Sequence, residues 1–274
     1  MTSSGCDRAK AKDLGEIVQG RQIDMAFFRT YRKFCLLSGL NVPRGGVIHI
    51  GGHSGEDLPF YLCYGFRRIL TIEPLPEIFE RLEHRSRVLA ESAQVAGLLF
   101  NNDIAPEIKC VNCAILEAAG RVPFYATAIT LWSSTKPLQK HEWATHMAQG
   151  PWYKRVIRQL WLTNSLRSRQ IEVEAKTLDG VIASLETSWS NADYHYLRMN
   201  IQGGELRALR GAKDILRRLK VVDFDQTIAP RYGGTGAADI SEYDAVLNPL
   251  GFALVSSTGG PINVRRVYAR DPSF

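Results

Sequence analysis

Residues 47–56 read VIHIGGHSGE, and Glu73 stands 22 residues after Gly51. Glycines at 51, 52 and 55 allow a tight turn and let the backbone come close to a bound group. Their G-x-x-x-G outline differs from the G-x-G-x-x-G of dinucleotide binders, and a structural turn would explain it as often. Glu73 adds specificity. An acid ending a second strand at this distance can accept hydrogen bonds from both hydroxyls of a ribose, so the pair points to an adenosine-containing cofactor. His49 and His53 raise the question of a metal. Four-residue spacing faces one side only on a helix, and these residues lie on a strand and a turn. No Asp or Glu cluster completes a ligand set. No metal site is expected.

The elements that must position these residues alternate. Strands are predicted over 47–50, 68–72, 108–115, 122–127, 194–201, 221–228, 252–256 and 264–268, the last two as a hairpin. Helices are predicted over 56–64, with Gly65 as a stop, over 76–87, over the stretch carrying Leu206 to Leu219, and over 240–250. Asp179 reads as the N-cap of a helix at 180–186. The alternation implies an α/β fold: an open, mostly parallel sheet with helices on both faces. Ligands of such sheets lie beyond the carboxyl ends of the strands. Residues 1–45 read as an N-terminal helical extension and 46–274 as the main domain. Residues 138–169, with Trp143, Trp152 and Trp161, read as a basic, Trp-rich helical insertion or lid.

Composition narrows the class. The chain has 274 residues, 45% hydrophobic and 23% charged, ordinary for a globular protein with a substantial core. No apolar run is long enough for a membrane span, and the polar N-terminus lacks the apolar core of a signal peptide. A cytoplasmic location is expected. Five cysteines at irregular spacing argue against a disulfide framework. Cys110 and Cys113 read as ordinary buried thiols. The net charge of +6 is concentrated. Residues 1–45 carry eight Lys/Arg against four Asp/Glu, and residues 138–169 carry six against one. Such segments attract acidic partners or are simply solvated helices.

Several stretches in order then resemble one family: VIHIGGHSGE, LTIEPLPEIFERL, KCVNCAILEAAGRVPFY, LWSST, AKTLDGVI and YLRMNIQGGELRALRGA. Together they are similar to the FkbM-type family of S-adenosylmethionine-dependent methyltransferases, from about Val47 to Arg270. The resemblance implies a class I, Rossmann-like methyltransferase with a seven-stranded sheet. It implies S-adenosyl-L-methionine as cofactor and methyl transfer to a hydroxyl oxygen of a sugar, polyketide or other natural product. Carried over by position, Gly51, Gly52, His53, Ser54 and Gly55 form the cofactor loop, with Gly51 and Gly55 toward the methionine part. Glu73, followed by Pro74, holds the ribose, and Asn112 and Cys113 flank the adenine. Ser133 and Ser134 match a serine pair near the cofactor, and Gly203 and Glu205 match the end of the family's D-V-E-G-x-E. That segment reads here as Asn200-Ile-Gln-Gly-Gly-Glu205. Two acids have become amides, which keep shape and hydrogen bonding but lose charge. Asn200 cannot act as a base. It is expected to position substrate or cofactor, leaving His53, His141, His146 and His195 as candidate bases. His53 and Asn200 are the residues expected at the chemistry.

The expected partner is a small-molecule hydroxyl acceptor, with no nucleic acid and no membrane span; a homo-oligomer is compatible with the sequence. Three rival readings remain. The basic segments, through Arg155, Arg158 and Arg167, would hold RNA or another acidic polymer. A Rossmann-like protein without its carboxylates would bind and not catalyse. A nicotinamide-dependent oxidoreductase would need a glycine spacing this loop lacks.

Overall fold

The computed structural model describes residues 25–96, 106–137, 168–228, 238–260 and 263–270. The chain divides into two compact units, Met1–Asn41 and Val42–Phe274. In the first, helix α1 spans Met25–Gly39.

The second unit is built on a seven-stranded sheet. Its strands are β1 (Gly46–Ile50), β2 (Arg68–Ile72), β3 (Glu107–Val111), β7 (Tyr194–Met199), β8 (Val221–Thr227), β9 (Phe252–Gly259) and β10 (Asn263–Arg270), in the order β3-β2-β1-β7-β8-β10-β9. The first five are parallel. β10 runs antiparallel to both β8 and β9. Strand order reverses at β1, where β2 lies on one side and β7 on the other. That switch opens a crevice at the carboxyl ends of these strands. All five residues of β1 are buried, as expected of a central strand covered on both faces.

Two differently composed layers cover the sheet. On one face, α2 (Leu58–Tyr64) packs aromatic rings over β1 and β7. Tyr61 meets His49 edge-on at 5.6 Å and Tyr196 at 6.4 Å, and Phe66 stacks on Tyr196 at 6.0 Å. Gly65, at φ 92°, ends α2 by donating its N–H to Tyr61 and Leu62, which is the αL stop that glycine permits. On the other face, Ile48, Ile50, Leu70, Leu197, Met199 and Val222 form a hydrophobic core with Phe224, which stacks on Tyr243 and Tyr268. Helices α4 (Leu178–Ser184), α6 (Glu205–Arg210), α7 (Lys213–Leu216) and α8 (Ile240–Leu247) cover it. Helix α3 (Pro76–Ala96) follows β2 and runs longer than the expected 76–87; α5 (Thr187–Ser190) precedes β7.

Four expectations need correction. The strand expected over 108–115 is two: β3 ends at Val111, and β4 (Ala114–Ile115) belongs to a second, three-stranded sheet with β5 (Gly120–Thr127) and β6 (Ser168–Lys176). Asn112 and Cys113 are the crossing between sheets. A single apolar run hides such a break, because both halves alternate with the same period. The helix expected from Leu206 to Leu219 is α6 and α7, separated at Gly211, where a side chain would meet the Leu116 carbonyl at 2.2 Å. Asp179 does not cap its own helix. Thr177 does, accepting from Gly180 N at 3.0 Å. Asp179 accepts instead from Asp214 N and Ile215 N at 2.9 Å each, closing the start of α7. Finally, residues 168 and 169, assigned to the helical insertion, begin β6; the rest of that insertion lies outside the described residues. No helix among the described residues is long and apolar enough to cross a membrane.

Candidate functional site

The crevice beyond β1, β2 and β7 is lined by Ile50, Gly51, His53, Glu73, Pro74, Cys113, Thr130, Asn200 and Gly204, among others. Counting space open to solvent, it encloses about 560 Å³.

The glycine turn forms its floor. Gly51 N and Gly52 N both donate to the Ile72 carbonyl, at 2.8 and 3.0 Å, folding the chain over the end of β2. Gly51 has φ 79°, and a side chain there would meet the Asn200 carbonyl at 2.4 Å. Gly52 is packed still closer: a Cβ would lie 2.0 Å from Thr71 Oγ1. Only glycine fits such approaches. His53 follows at φ 47° and donates its N–H to Glu73 Oε2 at 3.0 Å.

Glu73 is 6% exposed. Its other oxygen accepts from Leu75 N at 3.1 Å. Burial raises its pKa, opposed by these two N–H groups and by the His53 ring. Each carboxylate oxygen has a second lone-pair site beyond the one it uses here. Asn112 Nδ2 donates to the Glu73 carbonyl at 2.8 Å and so steadies the end of β2 from the neighbouring strand.

The His53 ring bridges two elements. Nδ1 lies 2.9 Å from Glu56 Oε1, and Nε2 lies 2.7 Å from Thr130 Oγ1 in the turn after β5. The hydrogen bond to Glu56 is the main cause raising the His53 pKa, against a smaller lowering by burial. Burial pushes Glu56 up, but hydrogen bonds from His53 and Ser54 outweigh it and hold the carboxyl at about 2. An imidazole between a carboxylate and a hydroxyl, at the rim of a cleft, can take and pass on a proton.

Asn200 closes the far wall. Its N–H donates to Ile50 O at 3.0 Å, and its Oδ1 accepts from Gln202 Nε2 at 2.8 Å. Ser134, 1% exposed, donates to the Gln202 carbonyl at 3.0 Å, and Ser133 Oγ accepts from Thr127 N at 3.1 Å.

Of the residues expected from sequence, Gly51, His53, Glu73, Pro74, Cys113, Ser133 and Asn200 line the crevice. Gly52, Ser54, Gly55, Asn112, Ser134, Gly203 and Glu205 stand behind it, holding backbone or neighbours. Burial pushes the Cys113 thiol up to about 12, so it contributes an apolar wall. His195 sits at the amino end of β7, opposite the end that carries Asn200, and its ring faces Gly45; that position removes it as a base for this crevice. His141, His146, Arg155, Arg158 and Arg167 lie outside the described residues.

The sequence reading missed Ile201 and Gly204, in the loop after β7, and a set from the second sheet and its turn: Ala114, Ile115, Leu116, Phe124, Thr130, Leu131 and Thr135. Ile115, Leu116, Phe124, Leu131 and Thr135 fall within the KCVNCAILEAAGRVPFY and LWSST stretches, which marked the segments but not which side chains would face the crevice. Among the described residues no group of three or more His, Cys, Asp and Glu converges to hold a metal ion.

The Methyltransferase FkbM domain matches residues 49–252. No curated protein sequence matches. Among solved structures, magnesium protoporphyrin IX methyltransferase from Synechocystis PCC 6803, with bound SAM, is 9% identical, with 98% of this chain and 92% of that chain covered and a TM-score of 0.41. An S-adenosylmethionine-dependent methyltransferase from Clostridium acetobutylicum is 8% identical, covering 97% and 99% at a TM-score of 0.43. The N-terminal domain of EvdMO1, in the presence of SAH and D-fucose, is 9% identical, covering 91% and 84% at 0.43.

Proposed function

The chain belongs to the FkbM family of methyltransferases, and on that premise we propose that it moves a methyl group from S-adenosylmethionine to a hydroxyl oxygen of a small molecule, such as a sugar or secondary metabolite. The observation that carries cofactor use is Glu73. It is a buried carboxylate at the end of β2, each oxygen already held by one backbone N–H and each with a lone pair to spare. Two vicinal hydroxyls of a ribose match that acceptor pair. Gly51 lets the turn lie against the ligand, and Cys113, Leu116 and Phe124 offer an apolar wall to a base.

S-adenosylmethionine supplies a methyl group on a sulfonium, an activated leaving group that needs alignment more than activation. The chain's own residues supply that alignment and handle the proton. Asn200, fixed by Gln202, positions the reactants without taking a proton. His53 Nε2 receives the proton of the acceptor hydroxyl through the Thr130 hydroxyl it touches, while Glu56 holds the ring from Nδ1 and favours the cation that forms. The carboxylate keeps the accepting nitrogen turned to the crevice, as the base of an acid–base pair requires.

Calorimetric titration with S-adenosylhomocysteine tests the cofactor; a native protein that does not bind it would end this reading. For the acceptor, methyl transfer from radiolabelled cofactor is scored across hydroxylated sugars and phenols. His53→Ala is expected to lower kcat by about a hundredfold or more with little change in cofactor affinity. An unchanged kcat would remove His53 from the chemistry.

A further inference from the structure

Glu205 has no part in the mechanism above, yet its carboxylate is fully buried beside the crevice wall. It opens α6, and both oxygens turn back on the preceding loop. Oε1 accepts from Ile201 N at 3.1 Å and Oε2 from Gly203 N at 2.9 Å. Between those amides the backbone is unusual: Gln202 has φ 55° and Gly203 φ 95°. A side-chain-bearing residue is disfavoured there, so the loop must be held from outside. The same loop delivers Asn200, Ile201 and Gly204 to the crevice. It is tied from above by Ser134, through the Gln202 carbonyl, and from below by Glu205.

We propose that Glu205 is a positioning residue: its ionised carboxylate clamps the 201–203 backbone so that Asn200 and Ile201 keep their place in the wall, and the clamp slackens when the carboxyl takes up a proton. The effect on catalysis rests on the methyl-transfer reading; the clamp itself does not.

The chemistry follows from counting donors and acceptors. An ionised carboxylate accepts at both oxygens, one for each amide. A protonated one has a hydroxyl facing an N–H, so one of the two bonds is weakened and a new donor is left to satisfy. The surroundings place this change near neutrality. Burial, the largest cause, pushes the Glu205 carboxyl up to about 7, while the backbone N–H groups of Glu205, Ile201 and Gly203 pull it down. Asp225, on β8, adds a like charge. Tyr243, on α8, faces Glu205 as well, and its phenol is pushed up by burial first and by Glu205 next.

The test follows the amide signals of Ile201 and Gly203 in the full chain, labelled with nitrogen-15, across neutral pH. Both are expected to shift together through one midpoint near neutrality. Glu205→Gln should abolish that titration and leave both signals displaced from their high-pH positions. Glu56→Gln, which alters His53, should leave the Gly203 midpoint where it is. In methyl transfer, Glu205→Gln should lower kcat/KM about tenfold above neutrality and much less below it, a pH dependence that a merely structural role would not give. Amides that stay still across neutrality in the unmodified chain overturn the proposal. So does a Glu205→Gln protein whose amides match the native high-pH signals. Titrating amides in a chain that transfers no methyl group would sink the methyl-transfer reading and support the clamp. If Glu205→Gln does not fold, the titration of the native chain decides alone.

Discussion

Replacing Glu73 with glutamine exchanges one carboxylate oxygen for an amide nitrogen and removes the charge. Both native oxygens already accept a backbone N–H, from His53 and from Leu75. The new NH₂ must therefore face one of those donors, and the ribose keeps one good acceptor where it had two. A hydrogen bond to a charged group contributes about 1.5–3 kcal/mol. Losing one and weakening the other costs about 3 kcal/mol, or about a hundredfold in affinity. Alanine would cost more, but it also leaves two buried N–H groups without an acceptor, which mixes folding with binding. Glutamine is the cleaner probe. Calorimetric titration with S-adenosylhomocysteine above neutrality reads the change directly. The native protein adds a second readout. Burial raises the Glu73 pKa, and the protonated acid loses an acceptor, so cofactor affinity should fall as pH is lowered through that raised value. The Glu73→Gln protein should lack this acid-side loss. Affinity within about threefold of native, about 0.7 kcal/mol, would refute the assignment of Glu73 to the ribose.

Three further outcomes are expected. Gly52→Ala puts a Cβ 2.0 Å from Thr71 Oγ1 and should lower unfolding free energy by about 1–3 kcal/mol in urea titration; adding Thr71→Ala should recover part of it, because Thr71 Oγ1 has no hydrogen-bond partner among the described residues. Glu56→Gln removes the main cause of the raised His53 pKa. The acid limb of kcat/KM, where activity appears as His53 loses its proton, should then move to lower pH; a limb that stays put would show that another group controls it. Asp223→Asn removes the carboxylate shared by the buried Arg198 and the half-buried Arg265; because Arg198 keeps Asp225, the loss should fall at or below the lower end of the roughly 3–5 kcal/mol that breaking a buried pair costs, to be read as a lower urea midpoint at unchanged slope.

The glycine turn and Glu73 could be read from sequence because both sit at strand ends, where one short motif fixes backbone path and side-chain role together. That the sheet is mostly parallel followed from alternation alone. The second sheet could not be read in this way. β6 pairs with β5 across the long 128–167 connection and in parallel with the two-residue β4, and no local period records a partner so far along the chain. With it went Thr130, whose hydroxyl reaches His53 across 77 residues. Asp179 shows a different limit. The residue type announced a cap, but for the wrong helix: Thr177, two residues earlier, caps the local helix, and Asp179 reaches the helix that tertiary packing placed beside it. Propensity named the chemistry and packing chose the recipient.

Two fully buried carboxylates show how partners, and not burial, separate framework from function. Asp223 meets Arg198, Arg265 and the Tyr196 hydroxyl. Burial alone would raise its carboxyl, yet the guanidinium groups win and hold it at about 2 against an ordinary 3.8. The shift contributes about 2 kcal/mol of stability above pH 3.8, lost as pH falls toward 2. Across the working range of a protein Asp223 does not change state, and it can fix β7, β8 and β10 in register. Glu205 meets the amide donors of Ile201 and Gly203 and a neighbouring Asp225, and burial above all raises its carboxyl to about 7 from 4.5. The sign is opposite. The fold favours the proton, and about 3 kcal/mol of stability present below pH 4.5 is lost as pH rises through 7. The ionised form that best clamps the Asn200 loop is thus the form the fold tolerates least. A group kept in that state works against the framework, and the benefit must lie in what its two bonds hold, which is the wall of the crevice.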